Sequence, residues 1–169
     1  MTGTVLVLGT DHRFQRRSPE FTERQHQRFA AFVSATARKG RVVALAEEYS
    51  TEALAEANVA QSTIEVIARE LGLQHRYCDP DMKTRARLGM LQENQIRMSA
   101  FPDKLAEAEV QRRFEESVRA REQFWLLELV ALDAWPVLFV CGANHSLSFV
   151  ELLRVNKVDT VLVAQGWGA

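Results

Sequence analysis

The segment Pro136-Val137-Leu138-Phe139-Val140-Cys141-Gly142-Ala143-Asn144-His145 is an apolar run that passes directly into Gly-x-x-His. An uninterrupted run of this length reads as a strand buried on both faces, as in a parallel sheet covered by helices. The same pattern stands near the other end of the chain, where Val5-Leu6-Val7-Leu8 leads into Gly9-Thr10-Asp11-His12. With eight glycines and four histidines in 169 residues, chance supplies only about 0.2 Gly-x-x-His matches. In an open parallel sheet, ligands bind just beyond the carboxyl ends of the strands. The two tetrads therefore place His12 and His145 where chemistry is expected.

Working outward, strands and helices alternate, which argues for one α/β domain spanning residues 1–169 with a mainly parallel sheet. The expected strands are Thr4–Leu8, Arg41–Ala46, Leu73–Cys78, Val137–Cys141 and Asp159–Ala164. Residues Thr10–Arg17 read as a polar loop, and Ser18-Pro19 as the start of a helix that closes at Gly40. Thr51–Ala60 reads as a short helix, and Ser62-Thr63-Ile64-Glu65 as a capping box that opens another, ended by Gly72. A polar helical stretch covers Met82–Ser99, Phe101-Pro102-Asp103 breaks it, and a long helix runs from about Lys104 to Ala134 as an insertion before the fourth strand. Helical crossovers then place helices on both faces of a five-stranded sheet. With the first strand central, the expected order is 3-2-1-4-5, which brings the two tetrads side by side.

Composition narrows the function classes. Lys and Arg number 21 against 22 Asp and Glu, a balance that does not suggest a nucleic-acid-binding surface or a membrane anchor. No apolar stretch reaches membrane-spanning length, and Val5–Leu8 is too short for the apolar part of a signal peptide. The expectation is a cytoplasmic protein. Cys78 and Cys141 then read as free thiols in a reducing compartment, serving as small buried hydrophobes at strand ends.

Beside the histidines, Glu47 and Glu48 close the second strand. Adjacent strand residues point to opposite faces, so within the strand only one can face a ligand shared with the histidines, unless the loop turns the other back. A carboxylate with two imidazoles suits Zn, Mn or Fe in a site with open positions; a solvated glutamate pair is the plainer alternative. In the long helix, Arg121 falls within an apolar stripe of Phe114, Val118, Trp125, Leu129 and Leu132. A guanidinium so placed must pair with a carboxylate such as Glu128, Glu47 or Glu48, bind an anion, or reach out to water. Asp11 and Asn144 can cap turns or orient a histidine, and capping is the reading for Asn144 and Ser146. Asp79 and Asp81 read as turn residues around Pro80. Arg13, Arg16 and Arg17 form either a solvated loop or an anion-attracting rim. His26 is expected at the surface, His75 inside its strand, and neither is given a role.

The sequence of strand-GTDH, strand-EE, a long helix with an arginine, and strand-GANH resembles the TIKI/TraB superfamily, which takes in erythromycin-esterase-like and ChaN-like proteins. The resemblance implies a site built from His12, Glu47 or Glu48, Arg121 and His145, and a hydrolase, metal-dependent in some members. About ten positions carry it, and the chain is short for the superfamily.

These readings combine into an expected hydrolase of an ester, amide or peptide bond, acting on a small-molecule or peptide substrate. In the favoured, metal-dependent version, His12, Glu47 and His145 hold a divalent ion that activates water. Glu48 or Asp11 is then the base, and Arg121 stabilises the oxyanion or holds Glu47. In a metal-free version, one of the histidines activates water and a glutamate orients it. The alternative from another class is a non-catalytic module that binds a small ligand or anion in the same crevice. A third reading is assembly into a homo-oligomer through the long helix.

Overall fold

The computed structural model describes residues 3–99 and 104–168; the expected break at Phe101-Pro102-Asp103 lies outside them. The strands are β1 (Thr4–Thr10), β2 (Ala44–Glu47), β3 (Gln74–Tyr77), β4 (Val137–Gly142) and β5 (Asp159–Trp167). They form one parallel sheet in the order β3-β2-β4-β1-β5. This corrects the expected order: β1 and β4 are neighbours, but β4 is the central strand. Both runs are apolar throughout, so hydrophobicity alone does not rank them. The difference lies in their edges. β4 pairs in regular register on both sides, whereas β1 meets β5 through register shifts after Val7 and Leu8.

The two-residue period of the strands sorts side chains into two cores. Leu8, Leu45, Leu138 and Val140 point to one face. There they pack against Phe29, Val33 and Ala37 of α2 (Glu23–Lys39) and Ile64, Ile67 and Ala68 of α4 (Thr63–Leu71). Val5, Val7, Ala44, Ala46, Val137, Phe139 and Cys141 point to the other. They pack against Trp125, Leu126 and Leu129 of α7 (Glu107–Leu132) and Phe149, Val150 and Leu153 of α8 (Ser146–Val155). Trp125, Phe139 and Phe149 form an aromatic cluster with ring centroids 4.7–5.5 Å apart.

The helix boundaries depart from the sequence expectation for local chemical reasons. The expected loop Thr10–Arg17 contains a single-turn helix, α1 (His12–Gln15), capped by the Asp11 side chain on the Arg13 amide. α2 begins at a Thr22/Gln25 capping box rather than at Ser18-Pro19; the Ser18 carbonyl instead accepts from His26 Nε2 at 2.9 Å. His26 is accordingly buried, against Phe14 and Phe21. Ser62 caps α4 through the Glu65 amide, but the Glu65 carboxyl accepts from the Tyr77 hydroxyl and does not close a capping box. After α3 (Thr51–Glu56), the stretch 82–99 divides into α5 (Met82–Arg87) and α6 (Glu93–Met98) around Gly89, whose φ of +67° is left-handed and ends a helix. Both cysteines are free and buried, and burial pushes each thiol well above its ordinary pKa. Among the described residues, no helix is long and apolar enough to cross a membrane.

Candidate functional site

The carboxyl ends of β1, β2 and β4 open onto a cavity of about 380 Å³ lined by Asp11, His12, Glu48, Arg121, Asn144 and His145, among others. The two glycines of the tetrads shape it in different ways. A Cβ at Gly9 would lie 2.0 Å from the Gln165 carbonyl oxygen and 2.9 Å from Ser146 Cβ, so Gly9 lets β5 and α8 close on β1. A Cβ at Gly142 would lie 2.6 Å from His12 Nε2 and 3.3 Å from Glu48 Oε2, so Gly142 leaves the space those two groups occupy. Its amide also donates to Glu48 Oε2 at 2.8 Å.

Glu48 is the centre of the arrangement. It follows Ala44 and Ala46 in strand parity, onto the α7 side of the sheet, and is only 2 % exposed. His12 Nε2 stands 3.5 Å from its Oε2, and His145 Nε2 stands 3.7 Å from its Oε1. Arg121 Nη2 lies 2.9 Å from Oε1 as an ion pair. The angle there is too poor for a hydrogen bond, and Oε1 has no hydrogen-bond partner among the described residues. A buried oxygen without a hydrogen bond carries a desolvation cost, which the Arg121 charge 2.9 Å away offsets.

Each neighbour is held from behind. Arg121 grips Asp79 through Nε at 2.6 Å and Nη2 at 2.8 Å, and Trp125 Nε1 donates to the same carboxyl at 3.1 Å. Arg85 adds a second cation on Asp79. Burial alone would raise the Asp79 pKa, but these partners outweigh it and hold it below the ordinary value. Burial likewise works against charge on Arg121, and Glu48 and Asp79 reverse it, so the guanidinium pKa is raised. His145 Nδ1 is 3.0 Å from Glu122 Oε1, which also accepts from the Ser148 hydroxyl at 2.6 Å. Burial disfavours the His145 imidazolium, yet the Glu122 hydrogen bond and the Glu48 charge prevail and raise its pKa. His12 is turned the other way, with Nδ1 2.9 Å from Gln15 Oε1.

The structure thus brings His12, Glu48, Arg121 and His145 together. It does not bring Glu47 with them, and the set His12, Glu47 and His145 does not converge. Glu47 follows Leu45 onto the α2/α4 side. There Gln15 Nε2 donates to it at 2.8 Å, His75 Nε2 lies 2.9 Å away, and the Ser62 hydroxyl donates as well. His75, given no role from the sequence, is thus part of this buried cluster. Glu128 pairs with Arg76, not Arg121. Asp11 is taken up by Arg13, which also meets Glu20, and Arg17 pairs with Glu23. The anion-attracting rim is therefore largely neutralised. Asn144 is exposed, and α8 starts from His145 without a side-chain cap. Ser146 is buried and donates to the Ala143 and Gln165 carbonyls instead of capping. Asp81 caps α5.

Three site residues were missed: Asp79, Glu122 and Gln15. Asp79 lies in Asp-Pro-Asp, a strong turn signal that masks its role at the site. Glu122 adjoins Arg121 but lies off the apolar stripe, although it is buried. Gln15 gave no signal, since its partners are 32 residues away or in a turn read as loop.

The donors that could hold a metal are His12 Nε2, His145 Nε2 and the Glu48 carboxyl, whose Oε1 accepts no hydrogen bond among the described residues. Against this, Arg121 already sets a positive charge on the same oxygen. Among the described residues, no three His, Cys, Asp or Glu side chains converge with the spacing of a preformed metal site. No family model matches the chain, and neither a curated protein nor a solved structure matches it.

Proposed function

We propose that the cavity is the active site of a hydrolase that cleaves an ester, amide or peptide bond by direct activation of water. One observation carries the reading: a buried carboxyl, Glu48, stands between the Nε2 atoms of two histidines whose Nδ1 atoms have chemically different partners. The 3.5 and 3.7 Å gaps are long for direct hydrogen bonds, but a water placed off either line can touch both groups.

In this reading, His12 faces a neutral amide through Nδ1 and serves as the base. Its Nε2 takes a proton from water as the water oxygen bonds to the substrate carbonyl carbon. His145, backed by the Glu122 carboxyl and with a raised pKa, serves as the acid. Its Nε2–H protonates the leaving oxygen or nitrogen as the scissile bond breaks. Glu48 orients the water and stabilises whichever histidine is charged. Arg121, committed to Glu48 and Asp79, holds the carboxyl in place and is a positioning residue.

The approach of both Nε2 atoms to the Glu48 carboxyl favours a second version, in which His12, Glu48 and His145 hold a divalent ion. Bound there, the ion would polarise the carbonyl and acidify water. A panel of chromogenic esters, anilides and peptides, assayed with and without chelator on untagged protein of measured metal content, tests both. The expected result is turnover of at least one class, lost in His12→Ala and in His145→Ala. Turnover that survives chelation supports the metal-free version, and its loss supports the metal version. Turnover unchanged in both variants would refute the assignment of the site.

A further inference from the structure

Glu47 sits directly before the central carboxyl and yet faces away from the cavity. Glu47 and Gln15 are both 0 % exposed, and a buried polar pair needs a reason. Following the donors one at a time supplies it. The Ser62 hydroxyl accepts from the Glu65 amide at 2.9 Å, so its single proton is free to go to Glu47 Oε1. His75 Nε2 donates to the same oxygen at 2.9 Å. Gln15 Nε2 donates to Oε2 at 2.8 Å. Turning the Gln15 amide over would set its oxygen 2.8 Å from a carboxylate oxygen, two acceptors face to face. The amide orientation is therefore fixed by Glu47. With its NH₂ committed, Gln15 presents Oε1 to His12 Nδ1 at 2.9 Å, and an amide oxygen only accepts. The proton between them must belong to His12.

We propose that Glu47 and Gln15 form a positioning relay that locks neutral His12 in the tautomer with its proton on Nδ1, leaving Nε2 bare toward the cavity. The inference deepens the hydrolytic reading, which needs a bare Nε2, but the tautomer itself is measurable without any substrate. Glu47 thereby acts through another side chain and not at the reacting centre. The relay ties the end of β2 to α1, and the N-cap of α4 and β3 hold its far end.

The test is the tautomer of His12 by long-range ¹H–¹⁵N correlation on histidine-labelled protein. It is recorded after chelation and at about pH 8.5, where an ordinary imidazole is neutral. The expected wild-type spectrum has a pyrrole-type Nδ1 and a pyridine-type Nε2 for His12. In Glu47→Gln, Ser62 and His75 still need an acceptor, so the new amide turns its NH₂ toward Gln15. Gln15 then flips, its NH₂ faces His12 Nδ1, and the two nitrogen signals exchange character. The exchange of Gln15→Glu with Glu47→Gln restores the donor order, and the wild-type pattern returns. A merely structural role would not reverse a tautomer and then restore it.

Where activity is measurable, Glu47→Gln lowers kcat with little change in KM. The loss reaches toward the roughly 10⁴-fold seen when a catalytic histidine is held in the wrong tautomer. A wild-type His12 protonated on Nε2, or a pattern unchanged by Glu47→Gln, would overturn the relay. If Glu47→Gln does not fold, the wild-type spectrum together with Gln15→Met decides, the latter losing the excess of Nδ1–H. A relay verified by tautomer in a protein without hydrolytic turnover would leave the relay standing and refute the proposed activity.

Discussion

Alanine at Gly142 and alanine at Gly9 are the same chemical change in the same motif, and the structure expects opposite outcomes. At Gly142 the new methyl would lie 2.6 Å from His12 Nε2 and 3.3 Å from Glu48 Oε2. Restoring an ordinary contact of 3.4–4.0 Å requires the His12 ring tip to retreat by about 1 Å. A misplacement of that size can cost about 10²-fold in rate. The ring can make the move, because the His12 side chain is 42 % exposed, so the stability loss should stay within about 1 kcal/mol, or roughly 2–4 °C in Tm. At Gly9 the methyl would lie 2.0 Å from the Gln165 carbonyl oxygen and 2.8 Å from its carbon. That obstacle is the backbone of β5, its carbonyl held by the Ser146 hydroxyl at 3.0 Å, and it cannot swing aside. Overpacking of this severity should cost at least about 3 kcal/mol, seen as a fall in Tm of roughly 6 °C or more or as insoluble protein. Thermal melts of both variants, with turnover of whichever panel substrate the wild type cleaves, check the pair. A Gly142→Ala variant that is fully active, or a Gly9→Ala variant as stable as wild type, would refute the packing argument.

Arg121→Met removes the cation shared by two buried carboxyls and should destabilise the fold by about 3 kcal/mol, the lower end for a broken buried pair, since Arg85 still meets Asp79. Urea denaturation measures it. His145 has a pKa raised above 6.5 in the folded state, so its contribution to stability is fully present below that value and is lost as pH rises through the folded pKa. The difference between the urea midpoints of wild type and His145→Gln should therefore shrink as pH rises from about 6 to 9; a difference that grows would contradict the assigned environment. Cys78 and Cys141, both buried with raised pKa values, should resist thiol reagents until the protein unfolds. Rapid labelling of either in native buffer would contradict their burial.

Much of the site was legible because the tetrads combine two independent signals, an apolar run and a glycine–histidine spacing. Strand parity also divided Glu47 from Glu48, although parity alone does not say which of them joins the histidines. That depends on the face taken by α7, a tertiary fact with no local signature. The swap of β1 and β4 has a similar origin, since Val5–Leu8 and Val137–Cys141 are equally apolar and only the irregular pairing of β1 with β5 separates them. Arg121 was found because a guanidinium inside an apolar stripe demands a partner, while its main partner Asp79 was hidden in a turn-forming Asp-Pro-Asp. Gln15 was invisible for a different reason: a neutral amide becomes informative only when both of its hydrogen-bond partners are known.

The central claim is that Glu48, and not a peripheral group, organises hydrolysis between His12 and His145. The most direct measurement is kcat/KM of Glu48→Gln relative to wild type on the best panel substrate, with both proteins shown folded by the same melt. The substitution keeps the size of the side chain but removes its charge, so a loss of about 10²-fold or more is expected, in line with the removal of one group that stabilises developing charge. A loss of less than about 3-fold, well below that range, would contradict the account.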